Sequence, residues 1–427
     1  MSSLISGAWA GAATAIAPAL RLWLHLRLRR GKEIADRLAE RRGRERTSRP
    51  PGRLLWLHAA SVGETVSILP VLAALEAQDP ALTILVTTGT VTSAALLAQR
   101  VGARPRVLHR FVPLDVPAWV GRFLDHWRPD AAGFVESELW PNLLAACRRR
   151  RIPLMLVNAR LSARSHARWS RLPGFARHVL GGFSLIQAQT PADAERLSGL
   201  GAGRVTAPGD LKFAAPKLPV DPAALARLRI ELDGRPVWLA ASTHPGEEAL
   251  VFDVHRRLAP AHPGLLTILV PRHPERGAKI AEEAGDVAVT RRADGEGPPS
   301  QGVWLCDTLG EMGLWYRLAP IVFVGRSLLP PGGGQNPLEP ARLGCAIAVG
   351  PHTGNFVTQV RSLEACGGLQ RVANAEQLAA FVDAMLRGPT SREAIGRAAK
   401  AAASRDADLP ARTAEALLGL LSRDATG

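Results

Sequence analysis

Three carboxylates in the first half of the chain, Glu64, Glu136 and Glu138, each stand just beyond a short apolar run. Leu54 to His58 leads through the small-residue turn Ala59-Ala60-Ser61-Val62-Gly63 to Glu64, where a helical pattern (Val66, Leu69, Leu72, Leu75) begins. A Glu at that junction has two readings: a general base beside a ligand crevice, or a cap of the first helical turn, where acids are favoured. Glu136-Ser137-Glu138 puts two acids on one turn, where they can bind hydroxyls, raise each other's pKa, or cap the next helix. Asn158-Ala159-Arg160-Leu161-Ser162-Ala163-Arg164 adds two guanidinium groups suited to phosphate or carboxylate, or else a solvated loop. Thr87-Thr88-Gly89-Thr90 offers hydroxyl and amide donors but reads as a structural turn.

The second half carries a different set. Ser242-Thr243-His244 ends one apolar run with hydroxyls and an imidazole. Pro271-Arg272-His273-Pro274-Glu275-Arg276 ends the next with cations suited to phosphate. Asp307 to Met312 opens a helix pattern whose free N–H groups around Gly310, Glu311 and Met312 can receive an anion. In the run Pro330 to Glu339, glycine lets the backbone approach a ligand closely, and Glu339 can hold ribose hydroxyls. Each motif alone also reads as structure; four on one half predict a nucleotide site. No Gly-Lys-Ser/Thr follows the glycines and no GxGxxG follows the first apolar run, so neither an ATPase nor a dinucleotide dehydrogenase is supported. The only Asp-x-Asp, Asp406-Ala407-Asp408, reads as the solvated face of an Ala/Arg-rich C-terminal helix, and neither a metal nor a cofactor is expected.

Regular alternation must position these residues. Strands are predicted at 54–58, 82–87, 107–112, 131–135, 154–157 and 184–187, with helices over 65–77, 91–100, 118–127 and 139–150. After a strand exit and linker through Pro208-Gly209-Asp210-Leu211-Lys212 to Pro219, strands resume at 236–241, 265–270, 287–289, 303–305, 321–324 and 346–349. Such alternation implies α/β units with parallel sheets, whose ligands bind beyond the carboxyl ends of the strands. The predicted organisation is a segment 1–30, a Rossmann-like domain 52–210 and a second 217–420, the two facing each other across a two-substrate cleft. A length of 427 residues suits that count, and 47% hydrophobic residues suffice for both cores. Four scattered cysteines without CxxC argue for a reducing compartment.

The net charge of +15 is concentrated near the N-terminus: residues 21–53 hold twelve Lys/Arg against four acids. Without a zinc finger, an aromatic-interleaved arginine stripe or an RNA-recognition motif, nucleic acid is not expected as a partner. Leu4 to Leu20 is seventeen uncharged residues long, at the lower limit of about 17–25 for a membrane span, with its charge after it rather than before. Arg21 to Arg30 mixes apolar and basic residues with Trp23, as suits an anionic leaflet. Residues 1–30 are therefore expected to be a membrane-anchor helix with the body on the cytoplasmic side; a helix packed on the body is the other reading.

Taken in order, His58-Ala59-Ala60-Ser61-Val62-Gly63-Glu64, Glu136-Ser137-Glu138-Leu139-Trp140-Pro141-Asn142, Asn158 to Arg164, Pro271 to Arg276, Asn336-Pro337-Leu338-Glu339 and Gly350-Pro351-His352-Thr353 closely resemble the 3-deoxy-D-manno-octulosonic acid (Kdo) transferases of lipopolysaccharide inner-core assembly, from the anchor to about residue 420. The resemblance implies the GT-B fold, CMP-Kdo as donor, a lipid A precursor as acceptor and inversion at the anomeric carbon. It implies Glu64 as the base; Ser61, Gly63, Glu136, Glu138, Arg160 and Arg164 on the acceptor or sugar side; and Ser242, Thr243, Arg272, His273, Gly310, Glu311, Met312, Asn336 and Glu339 around CMP, with Lys212 toward the donor's phosphate or carboxylate. Two positions depart: Gln335 stands where the family commonly has His, and Arg326 where a small residue is usual. The alternatives are a GT-B transferase with another donor and a non-catalytic, membrane-tethered nucleotide-sugar binding protein.

Overall fold

The computed structural model describes residues 2–102, 104–214 and 217–422. The chain forms two compact units, Met1–Ala215 with Asp406–Gly427, and Pro216–Arg405. Residues 215 and 216 of the expected linker, and Met1 of the expected anchor, lie outside the described residues.

In the first unit β1 (Leu54–Ala59), β2 (Thr83–Thr88), β3 (Val107–Phe111), β4 (Ala131–Val135), β5 (Leu154–Ala159), β6 (Leu185–Ala188) and β7 (Val205–Thr206) form one parallel sheet in the order β3-β2-β1-β4-β5-β6-β7. Strands covered on both faces read as near-continuous apolar runs, and β1 is one apart from the buried His58. Leu54 and Trp56 join a cluster with Phe123, Trp127 and Phe134, while Leu55 and Leu57 join another with Ile68, Leu72 and Leu75. The second unit repeats the plan with β8 (Val237–Thr243), β9 (Leu266–Pro271), β10 (Val289–Arg291), β11 (Gly302–Leu305), β12 (Ile321–Val324), β13 (Ala346–Val349) and β14 (Leu369–Arg371), ordered β10-β11-β9-β8-β12-β13-β14 and again parallel. The two-residue β7 and three-residue β14 escape a sequence reading because they are too short to display a period. The strand expected at 287–289 runs instead over Val289–Arg291.

In both sheets the strand order reverses about the first strand, between β1 and β4 in one and between β8 and β12 in the other. The crevice outside the carboxyl ends at such a reversal is where open α/β sheets bind ligands.

Two sequence expectations need correction. The C-terminal helix Leu409–Leu421 belongs to the first unit, not to a second domain running to 420: Leu409, Ala414, Leu417 and Leu420 complete the cluster of Leu55, Leu57 and Leu72. Asp406 is not on a solvated helical face. It is buried, precedes the helix, and accepts the Asp210 N–H at 3.0 Å.

The N-terminal segment forms two helices, α1 (Ser2–Ala15) and α2 (Ala17–Arg29), that meet at Ile16, just before Pro18, which has no N–H to continue the ladder. Among the described residues no helix is long and apolar enough to cross a membrane. The pair packs on the body: Leu24 is buried with Leu38, Val116 and Trp119, and the Trp9 indole donates to Asp115 Oδ2 at 3.2 Å. Ile16, Leu22, Trp23 and Leu26 remain exposed.

Candidate functional site

Glu64 occupies the third position of α3 (Val62–Gln78), directly beyond β1 at the reversal of the first sheet. Ser61 is the N-cap, accepting the Glu64 N–H, while the carboxylate takes the Ser61 hydroxyl on Oε1 at 2.7 Å and the Ala60 N–H on Oε2 at 2.8 Å. This reciprocal arrangement is close to a capping box, so the capping reading of Glu64 is realised. Each oxygen still has a lone pair to offer. Burial pushes the Glu64 pKa up, aided by the charges of Glu138 and Glu136 and opposed by the bonds from Ser61 and Ala60, and the net shift is upward. Gly63, between cap and carboxylate, has open space where a side chain would be.

Glu138 is set by a chain of buried groups whose connection the sequence did not indicate. The Trp56 indole donates to Thr87 Oγ1 at 2.8 Å, Thr87 Oγ1 lies 3.0 Å from His58 Nδ1, and His58 Nε2 lies 3.3 Å from Glu138 Oε2. Because the Thr87 oxygen accepts from Trp56, its own proton can go to Nδ1. Nδ1 also lies 3.2 Å from the Thr87 carbonyl oxygen, and because an ionised carboxylate only accepts, Nε2 carries the proton directed at Glu138. The Trp140 indole donates to the same carboxylate oxygen at 2.5 Å. Burial raises the Glu138 pKa, but the bonds from His58 and Trp140 and the His58 charge outweigh it, leaving the pKa lowered. Two neighbouring carboxyl groups are thus driven in opposite directions, a pattern that separates acid–base roles.

Glu136 begins the turn after β4 with φ +57°, a left-handed backbone that costs a non-glycine residue about 1–2 kcal/mol. It lies 2.5 Å from Lys212 Nζ as an ion pair. Lys212 therefore sits in the first unit beside an acid, on a short helix fixed by Asn158, which accepts the Leu211 N–H and donates to Asp210. Arg160 and Arg164, beyond β5, are both exposed, and neither guanidinium has a hydrogen bond or ion pair among the described residues.

The second unit gathers its predicted residues around the reversal between β8 and β12. Gly325 is required there, since a Cβ would lie 2.7 Å from Ser242 O. Ser242 and Arg326, facing each other across that approach, both adopt left-handed backbone, at φ +57° and +56°. The conformation explains why a small residue suits position 326. The organising group is Glu247, three residues beyond His244, to which the sequence reading gives no role of its own. Buried, it accepts the N–H groups of His244, Arg326, Ser327 and Leu328 at 2.7–3.0 Å and ties the two strand ends together. Thr243 is fully buried and its hydroxyl donates to Glu248, so it serves the fold rather than presenting its hydroxyl to a ligand.

Arg272, His273 and Arg326 are exposed, and the guanidinium groups of Arg272 and Arg326 have no partner among the described residues. His244 stacks edge-on to His273 and lies 3.1 Å from Gln335 Nε2; burial and the Arg326 and His273 charges lower its pKa. Glu311 stands at the N-cap position of the Met312–Leu318 helix, behind the exposed Gly310, with its carboxylate turned to Arg292 and Thr308 rather than to the helix N–H groups, the Arg292 bond keeping its pKa lowered. Asn336 accepts the Leu338 N–H and donates to Glu339 Oε1 at 3.2 Å. The unit thus gathers cations, backbone N–H groups and a carboxylate at one sheet edge, a set suited to an anionic nucleotide.

Known proteins match this arrangement. Residues 36–215 fit the family described as 3-deoxy-D-manno-octulosonic-acid transferase (kdotransferase). The chain is 36% identical over 398 residues to the probable mitochondrial 3-deoxy-D-manno-octulosonic acid transferase of Arabidopsis thaliana, covering 90% of this chain and 89% of that protein. It is 35% identical to the 3-deoxy-D-manno-octulosonic acid transferase of Bordetella pertussis, over 96% and 98% of the two chains. The UDP-GlcNAc 2-epimerase structure from Neisseria meningitidis is similar in fold alone, with a TM-score of 0.54 at 13% identity over 87% of this chain and 100% of that one. With relatives of that identity over nearly its whole length, the chain belongs to the 3-deoxy-D-manno-octulosonic acid transferases, a family of glycosyltransferase enzymes.

Proposed function

We propose that this enzyme moves Kdo from CMP-Kdo to a hydroxyl of a lipid A precursor, with inversion, in lipopolysaccharide synthesis. The observation that carries the reading is Glu64, a buried carboxylate with a raised pKa at the sheet reversal of the first unit. A base with a pKa nearer the working pH removes a proton more effectively than an ordinary carboxylate. Glu64 takes the acceptor hydroxyl's proton on a free lone pair, the hydroxyl oxygen bonds to the anomeric carbon from the face opposite CMP, and the bond from that carbon to the phosphate oxygen breaks. The negative charge released on CMP is offset by Arg272, His273 and Arg326, with the backbone around Gly310 to Met312 supplying N–H donors. Glu136 and Glu138 orient the acceptor or sugar hydroxyls, and Lys212 balances Glu136.

The acceptor is an anionic amphiphile, and the same reading places the enzyme on the cytoplasmic face of the inner membrane. Exposed Ile16, Leu22, Trp23 and Leu26 among the cations of α2 support a helix that lies in the interface of an anionic leaflet. Incubation with CMP-Kdo and a lipid A precursor, followed by mass measurement, tests the function. The expected product is the precursor carrying Kdo, with release of CMP; no mass change in the acceptor would refute the reading.

A further inference from the structure

Beside the Glu138 turn the first unit holds an apolar groove of about 650 Å³ that the transfer chemistry leaves unused. Trp9 of α1, Leu139 and Trp140 after β4, and Trp169, Leu172 and Phe175 of the segment beyond β5 line it. Trp169 and Phe175 stack with their rings 7° from parallel and pack against the main cluster, so this wall is built into the core. Trp9, Trp140 and Leu172 are 50%, 39% and 51% exposed, an unusual cost for large apolar groups brought together at one surface.

Two polar features border the groove. At one end is Glu138, which receives the Trp140 indole proton and whose charge acts on Glu64. The other is Arg168, which lines the groove; Arg164 lies one helical turn before it on Ala163–Trp169, and Arg160 and Arg171 flank that helix in sequence, all four exposed and none with a side-chain hydrogen bond or ion pair among the described residues. A carboxylate that handles hydroxyls, an apolar slot and a set of unpaired cations together match a single molecule with a hydroxylated head, an anionic group and a hydrocarbon chain.

We propose that this groove seats one acyl chain of the anionic acceptor, lifted from the bilayer, while these arginines receive the acceptor's phosphate. The inference rests on the acceptor being a lipid A precursor. It adds that the enzyme reads the lipid portion directly rather than only meeting it at a membrane surface. Burying a methylene favours binding by about fourfold, so shortening the seated chain by two carbons raises the acceptor KM by roughly tenfold or more.

The test uses the full chain, detergent-dispersed lipid A precursor and its water-soluble deacylated form, each with saturating CMP-Kdo. For the unaltered enzyme kcat/KM should favour the acylated acceptor, and Leu172→Asp should cut that preference by tenfold or more through KM. An unchanged preference in the variant would overturn the groove. So would a loss of binding to acceptor-free anionic vesicles as large as the loss in KM, which would assign Leu172 to bilayer contact instead. A myristoyl chain brominated at its end provides a readout independent of transfer: it should quench tryptophan fluorescence, and Trp169→Phe should reduce that quenching. If quenching is seen but neither acceptor gains Kdo, the transfer reading fails while the chain seat stands. If quenching is absent, the seat fails whatever the transfer result.

Discussion

The two sheets share one topology and put opposite chemistry at the same place. At the reversal of the first stand the acids Glu64, Glu136 and Glu138; at the reversal of the second stand Arg326 and His244, with Arg272 and His273 after the adjacent β9. The acids are enclosed, Glu64 being 9% exposed, and each is held by named donors, whereas Arg272 and Arg326 are exposed and unpaired. Enclosure suits a group that must change protonation during a reaction, since burial is what moves its pKa. Exposure suits cations that meet an anion arriving from water, because they retain hydration until it binds. On the proposed reading the same fold supplies a base in one unit and an anion receiver in the other, with the difference lying in a few side chains beyond the strand ends.

This contrast can be broken from either side. Glu64→Gln should have the largest effect, lowering transfer by about 10²–10⁴-fold while calorimetric CMP affinity stays within error; near-normal turnover would remove Glu64 from the base role. Arg272→Ala should weaken CMP binding by about 10–100-fold, the range for one charge-assisted hydrogen bond, and flatten its salt dependence. A smaller change would mean that Arg326 and His273 carry the anion.

Glu138→Gln sharpens the comparison through pH. A base works deprotonated, so kcat/KM should fall as pH drops through the raised pKa of Glu64. Glu138 helps to raise that pKa by charge repulsion, and its neutralisation should move the acid limb to lower pH; a shift the other way would contradict the coupling. Arg326→Gly should give the smallest energetic effect, a gain in stability of about 1 kcal/mol in urea unfolding, as the left-handed strain at φ +56° is relieved.

Much of the fold was legible because its strands are doubly buried and therefore read as plain apolar runs between amphipathic ones. The strands and the edge motifs at Glu64, Glu136, Ser242 and Arg272 were found on that basis. The reading of Asp406 as surface failed because its partner, the Asp210 N–H, lies 196 residues away. The return of Leu409–Leu421 to the first unit failed for the same reason: an amphipathic helix states that it needs an apolar surface, not which one. The link between Trp56, Thr87, His58 and Glu138 escaped notice because buried polar residues within a strand carry no local signature of the hydrogen bonds they form.

By itself the sequence determined the two α/β halves, the chemical types available at each sheet edge and the kinship with Kdo transferases. Both periodicity and motif are properties of residues near one another in the chain. Only the tertiary structure decided that Glu64 is at once a helix cap and a carboxyl with a raised pKa, that Lys212 faces Glu136, and that Glu247 binds β8 to the loop after β12. Those properties depend on burial and on partners brought from distant segments, and desolvation has no value until the chain has folded around the group.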